Sequence, residues 1–144
     1  MIATAFGGGI YIADTSARTR AGHPAIRDAW SAALRSRQIA TCSITTLELL
    51  YGARNAAEVR ELEADEATLR DIPISVSVQR AAIAALRELS SKSDGYHRVK
   101  LRDALIAAAA QHAGIGVLHY DHHYDRLSEV LHFDSRWVAA PGSL

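Results

Sequence analysis

A chain of 144 residues, 49% hydrophobic and 22% charged, has the size and composition of one globular domain, which excludes a disordered chain. Its formal net charge is zero, which excludes bulk attraction to a polyanion, so any nucleic-acid contact must come from a local basic patch. The single cysteine, Cys42, excludes an internal disulfide and points to a reducing compartment.

Residues 1–9 carry no Lys or Arg and only a short apolar run, so they do not resemble a secretory signal and read as a flexible lead-in. Ile10 to Ala13 is a short apolar run whose Ile and Tyr favour a buried strand, ending in Asp14. A polar stretch follows through Pro24. Ala25 to Arg37 places Ile26, Trp30, Ala33 and Leu34 at helical spacing. Ile39 to Cys42 reads as a second strand. Thr45 to Leu69 reads as helix, split by Gly52 and Asn55.

Ile72 to Val78 alternates and predicts a third strand, followed by a helix over Gln79 to Leu89 and a polar loop from Ser90 to Tyr96. Leu101 to Ala113 is a strongly apolar helix stopped by Gly114. Its apolar run from Ala104 to Ala110 is far short of a membrane span, so a soluble cytoplasmic protein is expected. Val117 to Tyr120 reads as a fourth strand ending in Asp121, Tyr124 to Val130 as a short helix, and Trp137 to Ala139 as a final edge strand. Strands alternating with helices imply a three-layer α/β/α fold around a parallel sheet of about four to five strands. In such sheets the functional crevice lies beyond the carboxyl ends of the strands.

Four acids fall at these junctions: Asp14, Glu48, Asp103 and Asp121. Each has a local explanation. Asp14 can begin a turn, Thr45 and Glu48 can form a capping box, Asp103 suits the first turn of a helix dipole, and Asp121 can cap the next helix. Their shared position at one predicted rim is what favours a site. Two carboxylates about 5 Å apart repel by roughly 3 kcal/mol at an effective dielectric of 20. A cluster of four must therefore spread apart, hold protons or bind cations. Oxygen ligands that leave room for water suit Mg²⁺ or Mn²⁺.

The same junctions carry a family resemblance. The run Ile12-Ala13-Asp14-Thr15-Ser16-Ala17 resembles the opening motif of PIN domains. The stretch from Ser43 to Arg54, containing Glu48, closely resembles the second motif of the VapC toxins of VapBC toxin–antitoxin pairs. Leu101 to Ala110, containing Asp103, resembles the third, and Val117 to Asp121 with Tyr124-Asp125-Arg126-Leu127 the fourth. The resemblance runs from about Tyr11 to Val138. One departure stands out: many relatives carry Asp-x-Asp-aromatic in the fourth motif, where this chain has Asp121-His122-His123-Tyr124. That puts a second metal position in doubt.

The resemblance implies a single PIN domain over residues 1–144 and a Mg²⁺-dependent endoribonuclease toxin, with Mn²⁺ able to substitute. It implies a site of Asp14, Glu48, Asp103 and Asp121, with Asp14 and Asp103 as the chief metal ligands. RNA would be the substrate, the protein a homodimer, and a cognate VapB-type antitoxin its inhibitor. The alternatives are a PIN-like nuclease acting on DNA or structured nucleic acid, and a PIN-fold binding module without catalysis.

Thr15, Ser16 and Arg102 are candidate substrate contacts. Arg18, Arg20, Arg98, Lys100, Arg102 and Arg126 lie near predicted rim loops and can border the acids with positive charge. His119, His122 and His123 invite a zinc reading, which the absence of a nearby cysteine disfavours. Asp125 reads as a helix-start residue, and Trp30 and Trp137 as core or interface residues. Phosphoaspartate enzymes fit poorly: no lysine follows Lys100, and residue 16 is Ser where a phosphatase of that kind carries a second acid.

Overall fold

The computed structural model describes residues 4–144. Its core is a five-stranded parallel sheet in the order β3-β2-β1-β4-β5. The strands are β1 (Tyr11–Ala13), β2 (Ile39–Cys42), β3 (Arg70–Ile72), β4 (Gly116–His119) and β5 (Ser135–Trp137). Helices α1 (Thr15–Arg18) and α2 (Arg27–Arg35) connect β1 to β2, and α3 (Ser43–Tyr51) and α4 (Ala56–Glu66) connect β2 to β3. The return to the other side of β1 uses α5 (Val76–Ser90) and α6 (Leu101–Ala113), and α7 (His122–Leu127) leads into β5.

The central strand β1 pairs with β2 through Tyr11 and Ile39, and with β4 through Ile12 and Val117. Successive side chains leave opposite faces of a strand. Ile12, Ala40 and Val117 accordingly join a core with α5, α6 and α7, while Tyr11, Ile39 and Leu118 join a second core with Ala17, Ile26 and Ala33. Three-residue strands suffice because both faces are covered, so each residue of β1 is fully buried. In α6, Ala104 and Ile106 through Ala110 are all buried, placing this helix in the interior.

The chain reverses its winding direction between β1 and β4. That reversal is the switch point at which a doubly wound sheet opens a crevice beyond its strand ends. Asp14 follows β1 directly, and Asp121 lies two residues beyond β4.

The structure departs from the sequence reading in several places. Strand β3 ends at Ile72 instead of beginning there. Of the alternating residues beyond it, Val76 and Val78 enter α5, because the Ser75 hydroxyl accepts the Val78 N–H and nucleates the helix. The Thr45–Glu48 capping box does not form: α3 begins at Ser43, two residues ahead of Thr45, and Thr45 Oγ1 lies 3.6 Å from Cys42 Sγ. Strand β5 begins earlier than expected, at Ser135. The polar stretch after Asp14 contains the short helix α1. In the expected lead-in, residues 1–3 lie outside the described residues, but Phe6–Gly8 form a 3-10 turn. The buried Gln38 amide holds this segment, accepting from Ala5 N at 2.8 Å and donating to Ala5 O at 2.6 Å and Gly9 O at 2.9 Å.

The Gly52–Asn55 break and the end of α6 fall where the sequence places them. Asn55 caps α4 through the Glu58 N–H, and Gly114 closes α6 at φ 70 in the left-handed region. No atom crowds a Cβ at Gly114, so Gly114→Ala isolates the backbone cost. Chemical denaturation is expected to register a loss of about 1 kcal/mol with unchanged secondary structure.

Candidate functional site

Asp14 caps α1, its Oδ2 accepting from the Ser16 amide at 3.1 Å and the Ser16 hydroxyl at 2.6 Å. The same hydroxyl accepts the Tyr120 N–H at 2.9 Å, tying the ends of β1 and β4 together under the acid. Asp103 projects from the first turn of α6 and is 1% exposed; Asp14 is 4% exposed. The hydroxyl of Tyr124, on α7, stands 2.9 Å from Asp14 Oδ1 and 3.2 Å from Asp103 Oδ1.

One phenolic hydrogen cannot serve two carboxylate oxygens at once. Burial first, then the charges of Asp14 and Asp121, push Asp103 up to about 7. Asp103 therefore carries a proton around and below neutral pH. It can then donate to the Tyr124 oxygen, which donates in turn to Asp14. Burial and the two acids also raise Tyr124 well above the ordinary phenol value, so the bridging group stays protonated.

The other two acids flank this pair with cations of their own. Asp121 caps α7 by accepting the His123 N–H at 3.0 Å, and Lys100 Nζ lies 2.6 Å from its other oxygen. Burial raises Asp121, but the His123 amide and Lys100 outweigh it and hold the acid below its usual value. The bond to Asp121 holds Lys100 above its own. Glu48 accepts from Thr15 Oγ1 at 3.1 Å and faces Arg102 Nε at 3.1 Å. Arg102 Nε also lies 3.7 Å from Asp103 Oδ1.

The residues fit a divalent cation. Asp103 Oδ2 is buried and makes no hydrogen bond among the described residues. Asp103, Asp121 and His123 each offer a ligand atom, all within 4.8 Å of one another. An orphaned carboxylate oxygen beside two further donors is costly without a cation and well satisfied with one.

The four predicted acids thus gather at one rim, with Asp14 and Asp103 inside and Glu48 and Asp121 outside. Sequence reasoning left Tyr124 without a role, although its position one helical turn after the capping Asp121 aims it inward. Asp125 does more than start a helix: it accepts from Ser135 Oγ and Trp137 Nε1, each at 3.1 Å, fastening α7 to β5. Trp30 packs in the second core. The three histidines do not converge among the described residues. His119 is buried, accepts the Asp121 N–H at Nδ1, contacts Ser135 Oγ at Nε2 and stacks on Tyr124, while the His122 ring lies edge-on to Trp137. Burial lowers His119 to about 4, so this ring is neutral near pH 7.

The basic border is smaller than expected. Arg18 is partly buried, paired with Glu66 and donating to Ala13 O, so it braces the turn before Asp14 instead of extending into solvent. Arg20 and Arg126 lie over the Tyr120 and Tyr96 rings. Lys100 and Arg102 remain at the acids, with Arg98 exposed nearby in sequence.

A family model described as the PIN domain matches residues 10–130. Ribonuclease VapC18 of Mycobacterium tuberculosis is 35% identical over 136 residues, covering 94% of this chain and 99% of that protein. Ribonuclease VapC21 of the same species is 36% identical over 137 residues, covering 92% of this chain and 96% of that protein. Among solved structures, DNA-bound VapBC from Salmonella typhimurium superposes with a TM-score of 0.68 at 19% identity, covering 90% of this chain and 98% of that one. VapBC-5 from Mycobacterium tuberculosis gives 0.58 at 21% identity, covering 88% and 96%. At such identities these structural likenesses concern the fold.

The elevated value of Asp103 has a consequence for stability. Between the ordinary 3.8 and about 7 the folded chain binds the proton more tightly than the unfolded one, so stability falls as pH rises through that window. Asp103→Asn removes the buried charge. In chelator-treated protein its melting temperature is expected to exceed the wild type's by several degrees at pH 8, and the gap is expected to close near pH 4.

Proposed function

This chain belongs to the PIN-domain family, with VapC ribonucleases among its relatives, and from that premise we propose that it is a metal-dependent endoribonuclease toxin of a type II toxin–antitoxin pair. The whole chain, 1–144, acts as a single PIN domain. The observation that carries the reading is the meeting of Asp14 and Asp103 on one tyrosine hydroxyl at the switch point, with an unsatisfied Asp103 oxygen turned toward Asp121 and His123.

In this reading Asp14 and Asp103 are the chief ligands of a divalent cation, Mg²⁺ or Mn²⁺, and Glu48 and Asp121 complete the catalytic acids. Such a cation, when bound, supplies charge to the phosphodiester and lowers the pKa of the attacking water. The remaining work belongs to the protein. Tyr124 fixes the spacing of the two inner acids and limits their repulsion. Arg102 and Lys100, paired with Glu48 and Asp121, are placed to take up the negative charge of an arriving RNA backbone. Thr15 stands with Arg102 at the mouth of the site, and Ser16, the remaining candidate contact, also helps to position Asp14 through the two partners of its hydroxyl.

Two surfaces support the expected partners. Beside the acids, Leu47, Leu50 and Tyr51 form an apolar groove wall that includes a 94% exposed tyrosine, suited to an antitoxin segment. On α5 and α6, Ile83, Leu86, Leu101 and Leu105 line a second apolar groove, suited to a homodimer contact. Among the described residues no helix is long and apolar enough to cross a membrane. With its lone cysteine buried and free, the protein suits the reducing cytoplasm.

Purified protein supplied with Mg²⁺ or Mn²⁺ is expected to cut RNA internally, and chelator to stop it. Asp14→Asn is expected to lower the rate by at least about 100-fold while melting cooperatively. Equal cutting by that variant, in preparations free of host nuclease, rules the mechanism out. Separately, Ile83→Glu combined with Leu101→Glu is expected to shift the protein to monomer in light scattering; a dimer unchanged by the pair places the interface elsewhere.

A further inference from the structure

His123 takes no part in the four-acid mechanism, yet it lies against it. Its Nδ1 is 3.6 Å from Asp103 Oδ2 and 4.0 Å from Asp121 Oδ1. Asp103 Oδ2 is the buried oxygen that has no hydrogen-bond partner among the described residues. An orphaned oxygen 1% exposed, aimed at an imidazole nitrogen and a second carboxylate, is what a cation of a few ångströms' reach would satisfy.

The orientation of the ring supports this. Nδ1 accepts the Lys100 N–H at 3.1 Å, so a neutral ring carries its hydrogen on Nε2 and leaves Nδ1, the nitrogen nearest both acids, free of a proton. Lys100 is exposed, so its N–H can pass to water when that lone pair is taken. The ring itself is about one-third exposed, which leaves a cation a route in.

We propose that His123 is a nitrogen ligand of the divalent cation at this site and that it tips the site's preference from Mg²⁺ toward Mn²⁺. The proposal rests on the metal-dependent reading above and narrows it. Mg²⁺ favours an all-oxygen shell and keeps its waters, whereas imidazole binds first-row transition ions well. Replacing one oxygen donor by nitrogen therefore weakens the claim of Mg²⁺ more than that of Mn²⁺. His119 is not an alternative donor, since its ring is fully buried and its nitrogens do not lie with the gathered ligand atoms of Asp103, Asp121 and His123.

The test is Mn²⁺ titration into chelator-treated full-length protein, followed by continuous-wave and pulsed electron paramagnetic resonance. Wild-type protein is expected to bind Mn²⁺ with a nitrogen hyperfine coupling from one imidazole. His123→Asp is expected to bind Mn²⁺ without that coupling, and its Mn²⁺-over-Mg²⁺ affinity ratio is expected to fall by about tenfold. Bound Mn²⁺ without nitrogen coupling in the wild type overturns the assignment and leaves metal-dependent cleavage standing. Coupling that persists in His123→Asp overturns it equally. A wild-type protein that binds no divalent ion removes both the assignment and the reading beneath it. Should His123→Asp fold poorly, His123→Ala takes its place, with the same loss of nitrogen coupling expected.

Discussion

Repulsion between buried carboxylates is the constraint around which this molecule is arranged. Asp14 and Asp103 come from distant parts of the chain and meet in the interior, where separated charges interact far more strongly than in water. Tyr124 moderates the encounter with a single hydroxyl, and a shared proton on Asp103 completes it. Outside them, Glu48 and Asp121 are each matched to a cation, Arg102 and Lys100. The unresolved demand falls on one oxygen, Asp103 Oδ2. An unpartnered acid oxygen beside two further donors marks the place in the site where a cation gains most.

The sheet exists, in functional terms, to bring that meeting about. Starting β1 in the middle, winding outward to β3 and then returning to β4 leaves a gap between two strand ends, and both ends carry site residues. Ser16 joins those ends by donating to Asp14 and accepting from Tyr120. His119 extends the fastening outward, from Asp121 through Ser135 to Asp125 and Trp137. Asp14 and Asp121, in the short connections after β1 and β4, are thereby held by hydrogen bonds to backbone and side chains.

Much of this could be read from sequence because strong local signals coincide with the site. Asp14 and Asp121 close apolar runs, and Gly114 ends α6 where a left-handed residue is required. The losses have physical causes. Ile72, Ile74, Val76 and Val78 alternate like a strand, yet Ser75 supplies a helix cap that the alternation conceals. Thr45 and Glu48 have the spacing of a capping box, but the helix starts two residues earlier, which frees Glu48 for Thr15 and Arg102. Arg18 looked like a surface cation because its partner Glu66 lies 48 residues away, a distance no local pattern spans. Tyr124 and His123 depend on how α7 rotates over α6, a tertiary fact.

The alanines of α6 have a further consequence. Ala104 and Ala107 through Ala110 are buried against neighbours on every side and have no rotamers to adjust. Interiors packed at crystal-like density accept an added methylene only by moving a backbone. The direction in which Asp103 points is therefore governed by the bulk of residues up to two turns away. Along this helix an added methylene and an unpaired polar atom are both costly, so its buried alanines leave little room for exchange.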